Sequence, residues 1–90
     1  MSDGSCMKFN NATQQIFKGT VRPVVVVQET NDYEGRWFAE AMLIDHSRSN
    51  LVFLVGQGSA TKKREAKDIA AKCGFEWLCS QYPEVDLSGV

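Results

Sequence analysis

SATKKREAKDIAAKCGFEWL, Ser59 to Leu78, decides how the rest of the chain is read. Thr61 is a good N-cap residue, because its hydroxyl can accept from an orphan amide of the first turn. From Lys62 to about Ser80 the apolar residues recur at helical spacing. At about 100° per residue, Ala66, Ile69, Ala70, Cys73 and Trp77 fall in one arc. That arc is the expected packing stripe, and Pro83 closes the helical region. Lys63, Arg64 and Lys67 fall in a neighbouring arc and are expected to face outward together.

Outward from this helix the signals change period. LVFLVG, Leu51 to Gly56, reads as a strand ending at the glycine, and GQGSAT as a glycine turn into the helix. HSRSN before it is turn chemistry. RWFAEAMLID, Arg36 to Asp45, alternates. Trp37, Ala39, Ala41 and Leu43 would share one face, and Phe38, Glu40, Met42 and Ile44 the other. NDYEG, Asn31 to Gly35, is a second turn. PVVVVQET, from Pro23, holds four successive valines, stiff at χ1 and suited to a strand. Residues 8–18 place Phe9, Ala12 or Thr13, and Ile16 at helical spacing, and Gly19 is the expected stop.

Short connections between three successive strands favour an antiparallel meander. The expected fold is therefore α+β, in the order α-β-β-β-α, with a three-stranded antiparallel sheet and two helices on one face. One domain spans residues 8–81. Residues 1–7 and 82–90 are expected to be flexible ends. Ninety residues suffice for one modest core.

Composition excludes several classes of function. No apolar run reaches the roughly 18 residues of a membrane span, and the N-terminus lacks the build of a signal peptide. The expected setting is intracellular, nucleus or cytoplasm, with no membrane partner. The three cysteines, Cys6, Cys73 and Cys79, show no metal-ligand or redox spacing. Ordinary reduced thiols are expected, with Cys73 packed in its helix. His46 is the single histidine and lies in a turn sequence. No catalytic set can be assembled around it, and no phosphate loop follows a strand. The expectation is a non-enzyme with no cofactor, no metal and no small-molecule substrate.

Net charge is −1, but it is unevenly placed. Lys62, Lys63, Arg64, Lys67 and Lys72 are five of the ten basic residues, opposed locally only by Glu65 and Asp68. This segment carries +3 and the rest of the chain −4. Cations in the first turn of a helix oppose its dipole by roughly 0.3–1 kcal/mol each. A merely solvated charge run is one reading. An anion site is the other: the cations share a face and follow glycines whose amides join the helix N-terminus. Lys63 and Lys67 lie one turn apart, about 6 Å, which suits neighbouring phosphates.

GQGSATKKREAKDIAAKCGFEWL resembles the C-terminal third of a double-stranded RNA-binding domain. Gly56 and Gly58 match that family's G-x-G. Lys63 and Arg64 match its basic pair, Ala66 and Lys67 its A-K, and Ala70 and Ala71 its alanine pair. The inferred element order is also the family's. The resemblance implies a partner, double-stranded RNA, recognised as an A-form duplex by shape and phosphate contacts. It implies that Lys63, Arg64 and Lys67, with Lys62 beside them, grip phosphates across the major groove. It implies minor-groove contacts from the first helix, for which Asn11, Gln14, Gln15 and Lys18 are the candidates; the wet face of an amphipathic helix is the other reading of these four. The family's G-P-x-H loop motif is replaced here by TNDYEGR. Asp32 and Glu34 would repel phosphate there, and Arg36 compensates in part. The alternative expectation is a variant of this domain serving as a protein-interaction or homodimerisation module, supported by the net acidity, the altered loop and the apolar strands.

Overall fold

The computed structural model of the chain describes residues 4–30 and 36–90. Helix α1 (Gly4–Phe17) is followed by strands β1 (Val21–Glu29), β2 (Trp37–Asp45) and β3 (Leu51–Ala60), and then by helix α2 (Lys63–Gln81). The strands form one antiparallel sheet in the order β1-β2-β3. Both helices pack on one face of it, so the fold is α+β with α-β-β-β-α order. The turn expected over 31–35 lies outside the described residues.

The alternation in β2 sets the faces. Ala39, Ala41 and Leu43 are buried beneath the helices, with Trp37 partly buried beside them. In β1, Val21, Val25 and Val27 pack against the same core. Pro23 is tolerated because β1 is an edge strand. A short 3-10 turn, His46–Arg48, links β2 to β3. The Asp45 carboxylate caps it, accepting from the Ser47 amide at 3.0 Å and the Ser47 hydroxyl at 2.6 Å.

β3 does not end at Gly56 but continues to Ala60. The GQGS stretch expected as a turn is paired with β2, Gly56 opposite Ala41 and Gly58 opposite Ala39. Glycines are poor strand residues alone, but here they permit contact. A Cβ on Gly56 would meet the Ala70 carbonyl oxygen and lie 2.7 Å from the Gly74 nitrogen. A Cβ on Gly58 would lie 2.6 Å from Ile69 Cβ. The backbone of α2 rests on the bare backbone of β3. A bulge precedes this contact: Ala41 faces Gly56 but Met42 faces Leu54, so Val55 is the extra residue. Val55 turns into the core.

That close approach also corrects the phase of α2. The buried stripe is Ala66, Ala70, Ala71, Gly74 and Leu78. Ala66 and Ala70 were expected. Ile69 is 43% exposed, Cys73 is exposed and Trp77 is only partly buried. The contact selects small residues rather than the most apolar ones. Thr61 is not the cap either. Lys62 holds that position, with no side-chain capping bond.

α1 starts at Gly4, four residues before the expected start. The N-terminal segment counted as a loose end thus contributes helix from Gly4 on. Phe9, Ala12 and Thr13 are its buried residues. The Phe9 ring lies 2.7 Å from where a Cβ on Gly74 would stand, so one helix plugs a gap in the other. The buried Thr13 hydroxyl donates to the Phe9 carbonyl at 2.9 Å and is thereby satisfied. Cys6 lies beside Lys67 and Asp68, and Phe17 meets Tyr82 edge-on at 5.4 Å, so the helices run parallel. The C-terminal end is not a bare tail. Leu87 is 8% exposed and joins the core, with Val85 and Val90 packed against it.

Candidate nucleic-acid interface

Because α1 and α2 run parallel, their N-termini open at the same end of the molecule. Between them lies a groove of about 480 Å³ lined by Gly4, Cys6 and Met7 from α1 and Lys63, Arg64, Lys67 and Asp68 from α2. The three cations singled out in the sequence line one depression. Lys63 and Arg64 are exposed, and Lys67 is half-buried in the groove wall. None of the three forms an ion pair among the described residues. Lys62 stands just outside the helix at its cap position, exposed.

The backbone adds to this charge. The first amide of α2 bonded within the helix is that of Ala66, which donates to the Lys62 carbonyl at 3.0 Å. The amides before it have no side-chain cap. They carry the positive end of a 19-residue helix dipole into a site already bearing cations. Among the described residues no side-chain cap offsets that arrangement, and an anion across the groove would reverse its sign.

Lys63 is oriented from the sheet side. Its Nζ lies 5.7 Å from the centre of the Trp37 ring, within cation–π range. Trp37 opens β2, immediately after Arg36, so Arg36 is placed at this same end of the sheet. The Arg36 carbonyl accepts from both the amide and the hydroxyl of Thr30 at 2.9 Å, which closes the β1–β2 hairpin. Asp32 and Glu34, expected to oppose phosphate, lie outside the described residues.

The polar residues assigned to α1 divide. Asn11, Gln14 and Gln15 are exposed on the helix. With Cys6 beside Lys67, a rise of about 1.5 Å per residue puts Asn11 about 8 Å, and the glutamines about 12–14 Å, along the axis from the cations. They form a strip leading away from the basic groove. Lys18 does not belong to that strip. It lies past the end of α1 in the left-handed conformation, φ 55°. Met7, which sequence reasoning passed over as part of a tail, lies 59% exposed in the groove. Its signal was absent because the helix start was placed after it.

The Cys6 thiol points at the Lys67 carbonyl and an Asp68 carboxylate oxygen, each 3.9 Å away. Burial, with Asp68 adding to it, pushes its pKa above the usual thiol value. A raised pKa lowers the fraction of thiolate at neutral pH. His46 Nδ1 lies 2.7 Å from the Asn50 amide oxygen, on an exposed turn. No group of three His, Cys, Asp or Glu able to hold a metal occurs among the described residues. No described helix is long and apolar enough to cross a membrane.

No family model matches the chain, and neither does a curated protein or a solved structure.

Proposed function

We propose that this domain binds double-stranded RNA without chemistry of its own. The observation carrying the proposal is the groove between the two helix N-termini. There Lys63, Arg64 and Lys67 meet uncapped backbone amides. Three cations on about one helical turn suit a row of phosphates better than one small anion. The exposed amides of Asn11, Gln14 and Gln15 offer donors and acceptors for 2′-hydroxyls and base edges in the next groove. A-form RNA hides its bases in a deep, narrow major groove. A rigid two-helix face therefore reads its width and phosphate spacing rather than its sequence.

The test is a titration with a duplex of about 20 base pairs, RNA against DNA of the same sequence, at two salt concentrations. RNA should bind more tightly than DNA, and the affinity should fall as salt rises. Lys63→Ala with Lys67→Ala should abolish most of the binding and flatten the salt dependence by about two phosphate contacts. Equal affinity for the two duplexes, or binding unchanged in the double variant, would sink the proposal.

A further inference from the structure

The face of the sheet turned away from the helices is not built for water. In a one-sided antiparallel sheet, outward positions are usually polar. Here large apolar side chains fill the half nearer the β2–β3 turn, while Gln28, Gln57 and Ser59 stand at the other end. Ile44 and Val52 are paired across β2 and β3, and Val24, Met42 and Leu54 form a complete rung across all three strands. Val26 lies beyond them on β1. Val52 and Leu54 are 52% and 51% exposed. A patch so continuous marks an interaction surface.

Its charges identify the partner. Among the outward residues of the described strands only Arg22 and Glu40 are charged. They are opposite in sign and equal in number, and neither forms an ion pair among the described residues. Within one chain they sit two rungs apart on neighbouring strands, about 14 Å, too far to meet. A surface carrying one cation and one anion flanking an apolar centre is complementary to itself under a two-fold rotation. A two-fold axis lying in the interface and crossing near the Val24–Met42–Leu54 rung would place Arg22 against the partner subunit's Glu40, and the reverse. With strand spacings of about 4.8 Å and a rise of about 3.4 Å, the two sets of strands then cross at roughly 40°. Stacked sheets prefer about 30°.

We infer that a second copy of this chain stacks on the open sheet face, forming a two-fold dimer with the helices outermost. The site is separate from the helix groove, and the inference does not depend on RNA binding. The sheet face covers roughly 400 Å² in plan. Two copies therefore bury about 800 Å², below the standard size of specific interfaces, and the dimer is a weak one.

Sedimentation velocity over a dilution series of the intact chain tests this. A monomer–dimer midpoint in the range of about 10–100 µM is expected. Leu54→Glu should move it upward at least about tenfold, with unchanged far-UV circular dichroism because that side chain is half exposed. Arg22→Glu and Glu40→Arg should each weaken the dimer several-fold, and the two together should restore it. A single-chain mass at about 500 µM would overturn the inference, since even weak interfaces of this size associate there. So would a dimer indifferent to Leu54→Glu, which would place the contact elsewhere. Failure of the double charge swap to restore association would overturn the two-fold arrangement.

Discussion

The two faces of the sheet differ most where β2 and β3 pass under α2. Where β2 and β3 lie directly beneath α2 stand Ala39, Ala41, Gly56, Gly58 and Ala60, the smallest residues available. On the open face the rungs nearer the β2–β3 turn carry valine, isoleucine, leucine and methionine. A simple count of hydrophobicity would have put the larger residues inside. The difference teaches that the covered face is selected for distance and the open face for area. α2 must come near enough to rest backbone on backbone, and any side chain on the strand would hold it off. The apolar volume missing from that contact is supplied from above by Phe9 and from the ends by Leu43, Leu78 and Leu87.

If this contrast is right, substitutions should sort by face. Phe9→Ala removes the one large plug of the covered side and should cost about 3–5 kcal/mol in urea unfolding. Gly56→Val adds volume where none fits and should cost about 1–3 kcal/mol or more, although valine is the better strand residue. A neutral result at Gly56 would mean the helix can lift off freely, and the contrast would fail. On the open face, Val52→Thr should change monomer stability by less than about 0.5 kcal/mol. The smallest effect belongs to neither face. Hydrogen bonds from Ser47, with help from Arg48, hold Asp45 below the usual carboxylate pKa. Its contribution is present above the unfolded value of about 3.9 and is lost as pH falls through the lower folded value. Asp45→Asn should lower stability slightly at neutral pH and flatten the acid slope below about pH 4, so that the two proteins converge in acid.

Much of the architecture was readable from residue order. The period-two alternation of β2 assigned Trp37, Ala39, Ala41 and Leu43 to one side, where the structure has them. The valine run and the long C-terminal helix were equally plain. What escaped was every feature set by contact across the core. Gly56-Gln57-Gly58-Ser59 has turn composition, but it pairs with β2 and its glycines let α2 come close. Ile69, Cys73 and Trp77 looked like a stripe because they are apolar. Gly74 and Ala71 are buried because they are small. Gly4 to Met7 and Val85 to Leu87 read as polar or sparse ends, and nothing local announces the packing that holds them. For the candidate site, Lys63, Arg64 and Lys67 stood out through their conflict with the helix dipole. The α1 side of the groove did not, since it depends on the parallel arrangement of the helices.

The glycine pair in β3 has a mechanical meaning as well. α2 is a rod of 19 residues held along its length, and its closest pin on the sheet is where Ile69, Ala70 and Gly74 press on Gly56 and Gly58. Its basic end projects from that pin as the short arm of a lever, with Lys63 about 10 Å beyond Ala70. Thickening the fulcrum by a single methyl group would tilt the arm and widen the gap between Arg64 and the start of α1. The width of the basic groove is therefore gauged by two atoms that are not there.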